Sequence, residues 1–310
     1  MKNVGFIYDD IFLLHEMPPG HPESKDRLIA INRYLKQSDI QNKLIHAKPR
    51  KADTQDILAV HTNAYFEKVM KFTGYYDADT YISKNSVEAA LYAAGAVIEA
   101  IEGCRSGSLD RAFCAVRPPG HHAEANRAMG FCIFNNVAVG TRYAQKSGYA
   151  KVFIIDFDVH HGNGTQHIFE EDPTVFYFST HQYPHYPGTG NDSERGKGKG
   201  DGYTYNFPMH YGAGDKDYFV VFQDILPGLV KNFDPDIILV SAGYDLHAND
   251  PLAGLRVTNE GIRNVVRGIL SSKKNIPQIF CLEGGYNLTS LSESVLITLE
   301  ELLYYDGAHN

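Results

Sequence analysis

The chain has 310 residues, 43% hydrophobic and 21% charged, with a formal net charge of −8. That balance fits a folded globular protein and lacks the basic stripe by which a general nucleic-acid binder neutralises phosphates. Its four cysteines (Cys104, Cys114, Cys132, Cys281) form no CxxC pair. No apolar run approaches the ~20 residues that span a bilayer, and the opening MKNVGFIYDD carries no apolar leader core. The expectation is a cytoplasmic protein with reduced thiols and neither a membrane nor a nucleic-acid partner.

Taken in chain order, a short apolar run at 4–8 reads as a buried strand, and the Ala-rich 86–102 as a helix opened by a Ser cap. Strand-like runs follow at 112–116, 152–156, 175–179, 237–241 and 278–282. Helical patterns cover 135–145, 216–231, 259–271 and 288–303. The Gly- and charge-rich stretch 187–202 reads as an exposed loop, because strand-like sequence resumes at Tyr203. Strands alternating with helices predict one α/β domain over 1–310, built on a mainly parallel sheet covered on both faces. Ligands of such sheets bind beyond the carboxyl ends of the strands.

Polar clusters stand at those ends. The run VFIIDFDVHHGN at 152–163 places Asp156, Asp158 and His160 at alternate positions, on one face if the strand continues. Buried without a cation, two carboxylates and an imidazole would be costly. Arg117-Pro118-Pro119-Gly120-His121-His122 follows a second strand, Asp245 a third, and Glu283-Gly284-Gly285-Tyr286 a fourth. Singly, a strand-end Asp is ordinarily a cap, a His pair a turn, and a Tyr after Gly-Gly a packed ring. Four at four strand ends describe one site. Asp158, His160 and Asp245 supply three ligands with a position left open, the layout of a catalytic metal site. His121 and His122 can serve as general base and acid, and Tyr286 as hydrogen-bond donor to an oxyanion. Asp156 and Asn163 are placed to orient the imidazoles. Together these groups describe metal-assisted amide hydrolysis.

These motifs resemble the histone deacetylase superfamily, which also holds acetylpolyamine amidohydrolases and acetoin-utilisation proteins. HPES..R at 21–27, RPPGHHAE at 117–124, GFCIFNN at 130–136, DFDVHHGNGTQ at 156–166, SAGYD at 241–245 and EGGYN at 283–287 match in order, most like the class II branch. The resemblance implies an arginase/deacetylase-like three-layer α/β fold with an eight-stranded, mainly parallel sheet. It implies Zn²⁺, with Fe²⁺ as the alternative, on Asp158, His160 and Asp245, and the catalytic roles above for His121, His122 and Tyr286. It implies a structural K⁺ near Asp156, Asp158, His160, Ser179 and Thr180. It also implies an acyl-lysine tunnel walled by Gly130, Phe131 and Tyr186. Asp79 would stand at its acidic rim with Asp77 as rival, and Arg27 on an inner acetate-release channel. Leu252 stands where polyamine-specific members place an acidic gatekeeper, which favours an acetylated lysine side chain over a small acetylated polyamine, although Asp250 is close. The expected enzyme is a zinc-dependent deacetylase, with an acetylpolyamine amidohydrolase as the alternative. A two-metal ureohydrolase and a non-catalytic acyl binder fit the residues less well, and homo-oligomerisation stays open.

Overall fold

The computed structural model describes residues 1–306; residues 307–310 of the expected domain lie outside them. Among the described residues ten strands run β1 (Val4–Ile7), β2 (Ile45–Ala47), β3 (Gly74–Tyr75), β4 (Tyr81–Ile82), β5 (Arg111–Cys114), β6 (Val152–Asp156), β7 (Val175–Gln182), β8 (Thr204–Met209), β9 (Ile237–Ala242) and β10 (Gln278–Leu282). Among the helices are α1 (Asp26–Lys36), α2 (Thr54–Leu58), α3 (Asn63–Val69), α4 (Ser86–Arg105), α5 (Asn136–Lys146), α6 (Asn163–Phe169), α7 (Asp215–Phe219), α8 (Leu226–Phe233), α9 (Asn259–Ser272) and α10 (Leu288–Tyr304). Eight strands form one sheet in the order β2-β1-β5-β10-β9-β6-β7-β8, every pairing parallel; β3 and β4 make a small antiparallel hairpin.

The four strands that carry polar clusters, β5, β10, β9 and β6, are neighbours at the centre of the sheet. They are buried along their whole length, which is why each reads as a continuous apolar run. Helices α4 and α5 pack on one face of the sheet; α1, α9 and α10 cover the other. Parallel strands end on the same side, so the four loops that follow converge on one rim. Among the described residues no helix is long and apolar enough to cross a membrane.

Several sequence expectations need correction. Strand β6 stops at Asp156, so Asp158 and His160 lie in the turn beyond it and not on a continuing strand face. The helix expected over 216–231 is two helices, α7 and α8, joined by a π-helical stretch, Val220–Ile225. Pro227 accounts for the break: it lacks the N–H that would bond four residues back, and its ring crowds that carbonyl. The 187–202 loop is exposed over most of its length, as expected, but it is anchored, with Gly190 and Gly200 buried. Glu194 accepts hydrogen bonds from the Gly190 and Asn191 amides and from Gln166, tying the loop to α6.

Candidate active site

The loop after β5 carries the histidine pair, both imidazoles buried with ring centroids 4.1 Å apart. Nδ1 of His121 lies 3.0 Å from Asp156 Oδ2, and Nδ1 of His122 lies 2.7 Å from Asn163 Oδ1. Asn163 donates its amide N–H to Glu124, so its oxygen faces His122 and accepts. Both Nδ1 atoms therefore carry the proton, and both Nε2 atoms are left for chemistry. The partners differ in charge. Burial opposes a charged His121, yet Asp156 and Asp158 outweigh it and push its pKa up to about 10. Burial and the neighbouring His121 hold His122 well below the ordinary value. A divalent cation at Asp158 and Asp245 would oppose the charge on His121 and draw it down.

Beside the pair, donor atoms of Asp158, His160 and Asp245 lie within 4.8 Å of one another. Nδ1 of His160 is 3.1 Å from Asp158 Oδ1 and 3.2 Å from Asp245 Oδ2. Ligands about 2.1 Å from a tetrahedral ion stand roughly 3.3 Å apart, so this spacing suits one small cation. The other oxygens are already engaged: Asp158 Oδ2 accepts the Gly284 amide at 2.8 Å, and Asp245 Oδ1 accepts the Val159 amide at 2.9 Å. Asp245 Oδ2 is buried and makes no hydrogen bond. An unsatisfied buried carboxylate oxygen is costly unless a cation answers it, so these residues fit a divalent metal. Burial and Asp158 raise the Asp245 pKa to about 7, with His160 opposing the rise. Close approach is built in at Gly284, where a Cβ would fall 2.1 Å from Asp245 Oδ2.

A cavity of about 260 Å³ opens over these groups, lined by both histidines, His160 and Tyr286. Asp79, Gly130, Phe131, Tyr186 and Leu252, all expected at the substrate, line it too. Phe131 adopts a left-handed backbone (φ 69°), and Thr80 accepts its N–H. Its ring lies edge-on to Tyr286 at 6.0 Å. Gly130 is also left-handed (φ 56°), and a Cβ there would lie 2.4 Å from the His122 ring. Tyr186 forms the opposing wall, 5.1 Å from His122 between centroids. The rival Asp77 instead accepts the Asp79 and Thr80 amides and shapes the turn. Burial, then Asp77, raises the Asp79 carboxyl above its ordinary pKa. Arg27 donates to the carbonyls of Gly285 and Glu283 and to Glu23, with its guanidinium 5.1 Å from the Tyr286 ring centroid. Burial raises the Tyr286 pKa well above its ordinary value, so the phenol stays protonated and a donor. For the expected potassium ligands, the β6–β7 register sets Ser179 beside Asp156, with Thr180 next on β7.

Sequence reasoning missed several participants. His185 lines the cavity, stacks on His160 at 5.1 Å, and shares a hydrogen bond with the Leu252 carbonyl. Asp250, weighed as a nearby charge, is turned away: it accepts the amides of Leu252, Tyr286 and Asn287. The buried carboxylates Glu23 and Glu283 stood inside the quoted motifs but were given no role. Their partners are mostly backbone groups and arginines, which leave no spacing pattern in a sequence.

Strand-end histidines, acids and a tyrosine around one cavity in a parallel α/β fold make up a hydrolase site. Residues 21–302 match the model of the histone deacetylase domain, so the chain belongs to the histone deacetylase family and is a deacetylase by class. It is 38% identical to a probable deacetylase of Archaeoglobus fulgidus, covering 92% of this chain and 81% of that one. It is 41% identical to the chloroplastic histone deacetylase 14 of Arabidopsis thaliana, covering 99% and 78%. The crystal structure of the HDA15 HD domain superposes with a TM-score of 0.91 at 38% identity, over 97% of this chain and 91% of that one.

Proposed function

We propose that the protein is a zinc-dependent deacetylase that hydrolyses the amide of N-acetyl-lysine or a related acyl-lysine. The observation that carries this reading is the meeting of three metal-competent donor atoms with the His pair and Tyr286 in one apolar-walled cavity. Zn²⁺, or Fe²⁺ in its place, held by Asp158, His160 and Asp245 would polarise the acyl carbonyl and acidify a water. The rings of Phe131 and Tyr186 enclose the four-carbon lysine stem, and Asp79 at the rim accepts from the substrate backbone. His122, whose partner is a neutral amide, takes the proton of the attacking water at Nε2. His121, whose partner is a carboxylate, holds a proton for the leaving amine. Tyr286 donates its phenol hydrogen to the oxygen that becomes negative in the transition state. A structural K⁺ beside Asp156 and Ser179 would steady the turn that carries Asp158 and His160.

An acetylpolyamine substrate is disfavoured, because a cationic tail finds Leu252 at the gate and Asp250 spent on backbone amides. The test is kcat/KM of the metal-loaded protein on an acetyl-lysine peptide and on acetylputrescine. Higher efficiency on the peptide is expected. The reverse order would make it a polyamine enzyme, and acetate release from neither substrate would overturn the reading.

A further inference from the structure

We infer that two buried carboxylates, Glu23 and Glu283, are positioning residues that lock the histidine loop and the tyrosine loop together. The inference rests on the catalytic roles proposed for His121, His122 and Tyr286. Neither carboxylate lines the cavity, and both are fully buried.

Glu23 precedes α1 and sits between two arginines. Arg117 donates to it at 2.5 and 2.8 Å, and Arg27 donates to it at 3.1 Å. Both arginines are themselves fully buried. Arg117 opens the loop that ends in His121-His122 and also donates to the carbonyls of Phe12 and His15. Arg27 donates to the carbonyls of Glu283 and Gly285, in the turn that leads into Tyr286. One carboxylate thus joins the start of the histidine loop to the backbone of the tyrosine loop. Nε2 of His15 adds a third contact to Glu23 at 3.3 Å.

Glu283 makes the same junction from the other side. Its Oε2 accepts the amides of Gly120 at 2.6 Å and His121 at 3.2 Å, and its Oε1 accepts the Ser241 hydroxyl at 3.0 Å. The two loops are therefore connected twice. One path runs Arg117–Glu23–Arg27 to the 283 and 285 carbonyls, and the other runs from the Glu283 side chain to the 120 and 121 amides. Together they close a ring of buried hydrogen bonds, in which the links between Glu23 and its two arginines are charge-assisted. Such bonds are short and directional, and in a dry interior they hold their geometry. Two loops that must present Nε2 and a phenol to the same acyl carbon need that rigidity, because small misplacements cost rate more than binding.

The test uses the full chain with metal bound, comparing Glu23→Gln and Glu283→Gln with wild type at temperatures well below unfolding. Each variant is expected to lose at least about tenfold in kcat with KM within about threefold, since the walls that bind the substrate are untouched. Amide hydrogen exchange supplies a readout independent of turnover. In Glu23→Gln, peptides covering 117–124 and 283–287 should both exchange faster while the sheet core stays protected. Should a Gln variant fail to fold, Glu23→Asp and Glu283→Asp keep the charge but shorten its reach, and the same kcat loss and paired exchange are expected. Unchanged kcat, or exchange that rises in only one loop or uniformly across the chain, would overturn the inference. A wild-type protein inactive on every acetylated amine would instead defeat the catalytic reading, and the exchange pattern would still decide whether the two loops are locked.

Discussion

Nδ1 of His160 lies 3.2 Å from Oδ2 of Asp245, although the two residues follow different strands. Strands β6 and β9 are in register, Asp156 opposite Ser241, so the turns beyond them meet at one height. The protein should bind one divalent ion per chain, measured by metal analysis after dialysis. Asp245→Asn should weaken that binding by at least 10–100-fold, roughly what loss of a supporting outer contact alone costs. Undiminished metal content in that variant would place the ion elsewhere.

Gly130→Ala should cripple turnover without unfolding the protein. The new methyl would stand 2.4 Å from the His122 ring, at a left-handed backbone position. The imidazole must move, and a displacement on the order of 1 Å costs about 100-fold in rate. Steady-state kcat together with a melting curve checks this; unchanged kcat would show that His122 needs no fixed position.

Leu252→Glu should change substrate preference. A carboxylate at the gate attracts a second ammonium group with about 1–4 kcal/mol, depending on local screening. Relative to the peptide, kcat/KM on an acetylated polyamine should rise roughly tenfold or more. No change in that ratio would show that the gate does not read substrate charge.

His61 makes stability depend on pH. It is buried; its Nδ1 lies 2.9 Å from the Glu124 carbonyl, and its Nε2 accepts the Asn135 amide at 3.0 Å. Burial lowers its pKa to about 4, against about 6.5 in the unfolded chain. Above pH 6.5 both states are neutral and the contribution is fully present. As pH falls from about 6.5 to about 4 the unfolded chain takes up protons first, and stability on the order of 3 kcal/mol is lost. Urea unfolding across that window should show His61→Gln less stable near neutrality but with a flatter pH dependence. An equal slope in both proteins would contradict this.

What the sequence made legible follows from burial. Strands β5, β6, β9 and β10 are covered on both faces, so each shows an unbroken apolar run. Strand β8, TYNFPM, lies at the sheet edge with partly exposed residues and a proline, and only its start was visible. Strand β2 is three largely exposed residues and gives no signal. That Asp158, His160 and Asp245 come together could be read because metal ligation draws on few side-chain types. The roles of Glu23, Glu283 and Asp250 could not, although all three were in view, since each acts largely on backbone amides or on arginines, and Arg117 lies far from Glu23 in the chain. His185 was hidden for another reason: its place in the wall depends on the path of a loop, which periodicity does not encode.

The central claim is that Tyr286 and the adjoining metal site hydrolyse an acetylated lysine. The most direct measurement is acetate release from an acetyl-lysine peptide by metal-loaded wild type and Tyr286→Phe. The variant keeps the ring between Phe131 and Arg27 and removes only the donor. Turnover by wild type with a 10²–10³-fold lower kcat in the variant, roughly the cost of losing one oxyanion donor, is the predicted result. Equal turnover by the two proteins, or none by wild type, would contradict it.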